Sequence, residues 1–214
     1  MTTILDRRKI SRLLSDLSDE LERDGVSAEV FVVGGAAIAL AYNSRRVTRD
    51  VDAIFEPKSK VYDAAARVGE RHGVGPDWLN DGAKGYMHGP DAQRRSAFES
   101  PTLRVSVGSA RYLLAMKLLA SRPEDAQDIK TLCAACGITR ADQALRVVKD
   151  AYPQPLPAKA RFMAEELLSG SDAGPGVRQP DTTVAGQPRC RRCGRPLRSP
   201  ASVARGMGPE CARR

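Results

Sequence analysis

The residues with the most chemical promise sit in one stretch, FVVGGAAIALAYNSRRVTRDVDAIF, residues 31 to 55. Asp50 and Asp52 are two apart, so on an extended strand their carboxylates share a face. Two carboxylates side by side repel each other unless a cation lies between them. An all-oxygen site of this kind suits Mg²⁺, which keeps several waters and binds substrate phosphates as well. Gly34 and Gly35 stand where a strand runs into a helix, and there backbone N–H groups can approach a phosphate closely. Together the two features point to a nucleoside triphosphate held by glycines and metal. Taken singly, Gly-Gly is a plain tight turn and Asp-Val-Asp an exposed strand end.

These residues need a strand, a short helix and a second strand to position them. The pattern supplies them as a strand from Glu29 to Val33, a helix from Ala36 to Tyr42 and a strand from Val51 to Phe55. Ahead of them, residues 4 to 24 form an amphipathic helix, with Ile10, Leu13, Leu14, Leu17 and Leu21 at helical spacing and Gly25 ending it. Pro57 opens a helix to about Arg71, and Gly73 to Gly89 is turn-rich. Leu103, Val105 and Val107 alternate as a third strand, and Ser109 caps a helix reaching Ala120. Pro123 starts a helix from Glu124 to Cys136, Thr139 and Asp142 resemble a capping box for another, and a last helix spans Ala158 to Leu168. The predicted fold class is α/β (α+β): a small mixed sheet with flanking helices and a helical C-terminal half, plus a small separate cysteine module.

The segment GGAAIALAYNSRRVTRDVDAIF resembles the first motif of the polymerase-β-like nucleotidyltransferase superfamily, a glycine pair followed by two metal-binding aspartates on the next strand. Its R-x-T-x-D-x-D form, Arg46 to Asp52, resembles the toxin–antitoxin and abortive-infection branch. A second block, SARYLLAMKLLASRPEDAQDIKTL, resembles the helical segment of the same group, and the resemblance covers residues 28 to 138. It implies catalytic roles for Asp50, Asp52, Lys117, Asp125 and Asp128, the last two being candidates for one aspartate. It implies nucleotide contacts from Gly34, Gly35, Arg46, Thr48 and Arg49, with one or two Mg²⁺ on Asp50 and Asp52. The implied reaction moves a nucleoside monophosphate from an NTP to a hydroxyl of RNA (a tRNA end, for instance), a protein or a small molecule. A cognate toxin or antitoxin is an implied partner.

The second block has a reading of its own. Lys117 lies on a largely apolar helix, and an ammonium there needs an anion or a route to water. Asp125 and Asp128 fall in the first turns of the next helix, where the dipole favours carboxylates. The plainer alternative is a snorkelling lysine and two capping aspartates. One departure stands out. Many relatives carry a third carboxylate on a later strand, and the strand from Leu103 to Val107 has none. Glu99 precedes Pro101, in an expected loop. Either Asp125 or Asp128 substitutes, or catalysis is impaired.

Other residues carry weaker signals. His72 and His88 read as surface polar groups. Trp78 and Tyr86, in DWLNDGAKGY, could stack on a base but read first as packing under a long loop. Cys133 and Cys136 continue the apolar helix face of Ile129 and Leu132, so core packing is expected.

Residues 1 to 168 read as the nucleotidyltransferase-like domain and 169 to 187 as a Gly, Ser and Pro-rich linker. Residues 188 to 214 read as a basic zinc-knuckle-like module. Cys190 and Cys193 form C-x-x-C with Cys211 after it, three thiolate ligands for Zn²⁺, where structural sites want four. The string from Cys190 to Cys211 resembles a small zinc-ribbon-like domain. From Ser169 onward nine Arg and three acidic residues give +6 of the chain's +8, which favours polyanions such as RNA. No apolar run approaches a membrane span and the N-terminus lacks a signal-peptide core, so a cytoplasmic protein with no membrane partner is expected. Five cysteines, an odd number, also argue against a disulfide framework. A catalytically weak antitoxin, or an adaptor acting through the tail, remains the alternative reading.

Overall fold

The computed structural model describes residues 4–168. The predicted linker and cysteine module, with Cys190, Cys193 and Cys211, lie outside the described residues.

The architecture is α/β, a five-stranded mixed sheet with seven α-helices among the described residues. Strands β1 (Ala28–Val32) and β2 (Val51–Glu56) pair antiparallel, joined by helix α2 (Gly34–Ala41). Strand β5 (Leu103–Val107) pairs parallel to β1, β4 (Arg95–Glu99) antiparallel to β5, and β3 (Leu79–Asn80) parallel to β2. The order across the sheet is β3-β2-β1-β5-β4. Period-2 alternation decides the two faces. Val30, Val32, Ala53, Phe55, Val105 and Val107 are buried, and Phe55 meets Tyr62 of helix α3 (Lys58–His72) edge-on at 4.9 Å. Helix α1 (Arg7–Arg23) packs on α3 and completes this layer, burying the predicted Ile10, Leu13, Leu14, Leu17 and Leu21 stripe.

The opposite face carries Glu29, Phe31, Asp52, Ile54 and Ser106, and is partly open. Helix α4 (Ala110–Ala120) approaches it, with Tyr112 edge-on to Phe31 at 5.4 Å. Helices α5 (Ala126–Ala135), α6 (Ala141–Ala151) and α7 (Ala158–Leu168) pack with α4 into the helical C-terminal half.

The chain departs from the sequence expectations in several places. Helix α1 begins at Arg7, because Leu5 is bridged to Thr48 in extended form and Asp6 caps through Lys9 N–H at 2.7 Å. Helix α2 begins at Gly34, so the glycines are its first residues rather than a preceding turn. The expected helix from Glu124 is a 3₁₀ turn, Pro123–Asp125, followed by α5. At α6, Gln143 accepts from the Thr139 and Arg140 amides while Asp142 pairs with the Arg140 guanidinium, so Asp142 does not close the box. Glu99 is on strand β4, not in a loop; it pairs with Arg104, at the end of β5 away from Asp52. Strands β3 and β4 carry no alternation signal, since one is two residues long and the other is a mostly exposed edge.

Three side chains are also placed differently. His72 pairs with Asp16 between α3 and α1, and its side chain is largely buried. His88 stacks on Tyr112 at 4.0 Å and meets Tyr152 edge-on at 4.9 Å. Its Nε2 is buried without a partner, and burial lowers its pKa. Neither is a surface polar group. Trp78 follows expectation, fully buried with its indole N–H donating to Ala65 C=O at 2.8 Å. Cys133 also packs in the core, and burial pushes its thiol up to about 11.

Candidate active site

At the C-terminal end of β1 the chain turns directly into α2, and Asp52 lies alongside on β2, its C=O accepting from Val33 N–H at 2.8 Å. Gly34 adopts φ +65°, a left-handed conformation that side chains resist. A Cβ there would also stand 2.8 Å from Asp52 Oδ2, so glycine is required twice over. The residue before the helix, Val33, offers no side-chain cap, which leaves the first amides of α2 open to an anion. Gly35 lets the same helix turn pack on Thr48, whose Oγ1 would be 2.9 Å from an added Cβ.

Asp50 lies in the bend just before β2 and Asp52 is the second residue of the strand. Burial raises the Asp52 carboxyl and the nearby charge of Asp50 raises it further, to about 6, against the opposing pull of Lys117 and Arg122. A partly buried carboxylate beside a like charge fits a site completed by a cation. Carboxylate oxygens such as those of Asp50 and Asp52 are the donor type Mg²⁺ takes. Among the described residues, no group of three or more Asp, Glu, His or Cys side chains is arranged to hold a metal. The place on β5 facing Asp52's side of the sheet is Ser106.

Across from the glycines, α4 brings in Lys117. Its ammonium donates to Asp125 Oδ1 at 2.5 Å and lies 3.1 Å from Asp128 Oδ2. Arg46 clamps the same Asp128 through Nε at 2.8 Å and Nη2 at 3.1 Å. Burial alone would raise the Asp128 pKa, but Arg46 and Lys117 hold it below the ordinary carboxylate value. With Asp125 and Asp128 almost fully buried, this is a self-neutralised four-residue network.

Gly34, Gly35, Asp52, Lys117 and Asp125 line one cleft of about 130 Å³. Asp50 adjoins it through its effect on Asp52. Arg46, Thr48 and Asp128 do not line it; they stand behind the helix turn and the lysine. Arg49 is exposed and is not part of the lining. The cleft also contains Arg122 and Tyr86, and Gly82 and Ala83 on the 3₁₀ turn Gly82–Tyr86. Arg122 escaped the sequence reading because its role depends on what it does not pair with. Tyr86 read first as packing, yet its side chain reaches the cleft, 39% exposed, with the Arg122 guanidinium 5.7 Å from its ring centroid, while its backbone C=O accepts from the Tyr152 hydroxyl.

The loop carrying that turn is fastened at both ends. Asp81 accepts from Lys58 Nζ at 2.6 Å and from the Tyr62 hydroxyl at 2.8 Å, both on α3. The far end is held by Tyr152 and by the His88 stack on Tyr112.

A mixed sheet presenting an acidic pair beside a glycine-started helix, faced by a lysine-bearing helix, is a nucleotidyltransferase-like fold. Residues 8–138 match the model of a family described as nucleotidyltransferases of unknown function (DUF6036), and the chain belongs to that family. Residues 181–214 match a second model, that of a family of unknown function (DUF6011). No curated protein and no solved structure matches the chain. Among the described residues no helix is long and apolar enough to cross a membrane.

Proposed function

We propose that the protein is an Mg²⁺-dependent nucleotidyltransferase, moving a nucleoside monophosphate from an NTP to a hydroxyl acceptor. The observation that carries this reading is the cleft in which uncapped amides of α2 adjoin an acidic pair, one member of which is raised to about 6. The amides at Gly34 and Gly35 receive phosphate oxygens, and Asp50 and Asp52 hold the metal. Mg²⁺ bound there would neutralise charge developing at the α-phosphate and lower the pKa of the attacking hydroxyl. The acceptor oxygen bonds to phosphorus as it gives up its proton, and pyrophosphate leaves. Asp125 and Asp128 hold the Lys117 ammonium at the cleft, while Arg46 keeps Asp128 ionised. Asp125 and Asp128 thereby act as positioning residues.

The acceptor we favour is RNA, because six of the chain's eight net positive charges fall after residue 168. In this reading residues 188 to 214 form a separate zinc-binding module through Cys190, Cys193 and Cys211, joined by a linker from 169 to 187. A role within a cytoplasmic toxin–antitoxin pair follows from the R-x-T-x-D-x-D likeness at Arg46 to Asp52.

The test is transfer of labelled nucleotide from each of the four NTPs to total RNA, with and without Mg²⁺. Incorporation is expected and should fall about a thousand-fold in Asp50→Ala and Asp52→Ala. A second reading, nucleotide binding without transfer, is favoured by one observation: Ser106 stands on β5 where many relatives carry a third carboxylate. Saturable NTP binding with no incorporation would select it over the enzyme.

A further inference from the structure

The cations of the cleft are not equivalent. Lys117 is held between two carboxylates, and Arg46 is spent on Asp128. Neither has a free charge to offer a polyphosphate unless its own partners let go. Arg122 is different. It lines the cleft beside Asp52 and Lys117, yet no carboxylate among the described residues lies within ion-pairing distance of it. Asp125 and Glu124 act on it only through longer-range charge. Its guanidinium rests instead against Tyr86, 5.7 Å from the ring centroid and in a side-chain hydrogen bond with the Tyr86 hydroxyl. A cation–π contact and a hydrogen bond to a neutral hydroxyl at an exposed site are both weak. Hydrogen bonds to a charged phosphate are stronger, and a guanidinium can make two at once.

We propose that Arg122 is the cation that receives the β- and γ-phosphates of the nucleotide, leaving its rest position over Tyr86 to do so. This rests on the nucleotidyltransferase reading above and assigns a role to a residue that lies inside the second sequence block but was given none there. The geometry divides the work. The α2 amides and the acidic pair serve the phosphate that reacts, Lys117 with its carboxylates stays fixed, and Arg122 takes the part that departs as pyrophosphate. Moving Arg122 also uncovers a face of Tyr86, on which a flat base can stack.

Equilibrium binding to the full-length protein tests this with three probes: ATP, AMP and inorganic tripolyphosphate, all with Mg²⁺. Arg122→Gln should weaken ATP and tripolyphosphate by about 10- to 100-fold and leave AMP within about two-fold. Arg122→Lys should recover part of the loss, since a point charge replaces a fork. Lys117→Met serves as the contrast and should weaken AMP and ATP alike through the collapse of its carboxylate network. If Arg122→Gln binds ATP and tripolyphosphate as the wild type does, the assignment is overturned while the nucleotidyltransferase reading stands. If the wild type binds neither ATP nor tripolyphosphate, both fall together. Equal weakening of AMP and ATP by Arg122→Gln also overturns it, because that marks a general distortion of the cleft.

Discussion

The two walls of the cleft treat their carboxylates in opposite ways. On the sheet wall, burial and the charge of Asp50 drive Asp52 up to about 6. On the helical wall, Asp125 and Asp128 are more deeply buried, yet Lys117 and Arg46 neutralise them and Asp128 stays below its ordinary value. Burial therefore does not decide which acids are available for chemistry; direct hydrogen bonding to a cation does, since two cations act on Asp52 only at longer range and two bond Asp128 directly. On the sheet wall, Lys117 and Arg122 reach Asp52 only through longer-range charge. The helical wall is a finished structural joint, tying residues 82 positions apart.

If that contrast holds, the largest stability loss belongs to the helical wall. Asp128→Ala removes the shared partner of Arg46 and Lys117 and should cost about 3 kcal/mol in urea unfolding. A loss below about 1 kcal/mol would show that the joint is not what holds α5 to the α2 side. Gly34→Ala should come next, at about 2 kcal/mol, from the forced left-handed backbone and the 2.8 Å approach to Asp52 Oδ2. Thermal unfolding measures it, and a neutral result would mean that α2 can start one residue later. The smallest effect carries the opposite sign. The folded Asp52 carboxyl keeps its proton up to about pH 6, against an ordinary value of 3.8. Between those values the folded state binds more protons than the unfolded chain, so this group's contribution is full below about pH 4 and lost as pH rises through about 6. Asp52→Asn removes that penalty and should stabilise the metal-free protein at pH 7.5 by about 1 kcal/mol, after discounting for solvent screening. At pH 4 the variant and wild type should melt together. A destabilised Asp52→Asn at pH 7.5 would sink the idea of an unfinished acidic site.

The sheet wall was far more legible in the sequence than its counterpart. Gly34, Gly35 and the Asp50–Asp52 pair lie within nineteen residues, and period-2 spacing puts β2 and its carboxylate in place. The buried stripe of α1 and the cap at Ser109 were readable for the same reason: each is a local pattern. On the helical wall Lys117, Asp125 and Asp128 stood out as charges near apolar surroundings. Their partners did not, because the Arg46–Asp128 pair is a long-range contact. Arg122 looked like any arginine before a proline, and its interest lies in lacking a carboxylate within reach. Strand β4 escaped because an exposed edge need not alternate.

The strap from Asp81 to His88 joins α3 under the sheet wall to Tyr112 and Tyr152 on the helical side. Anchored at both ends, it works as a spacer. Between its anchors it lays Gly82, Ala83 and Tyr86 along the cleft. Adding or removing a residue between Gly82 and Tyr86 would therefore change the bore of the cleft while leaving Asp50, Asp52 and Lys117 on their own elements. The loop is thus a natural place to tune the size of nucleotide admitted, independently of the groups that act on it.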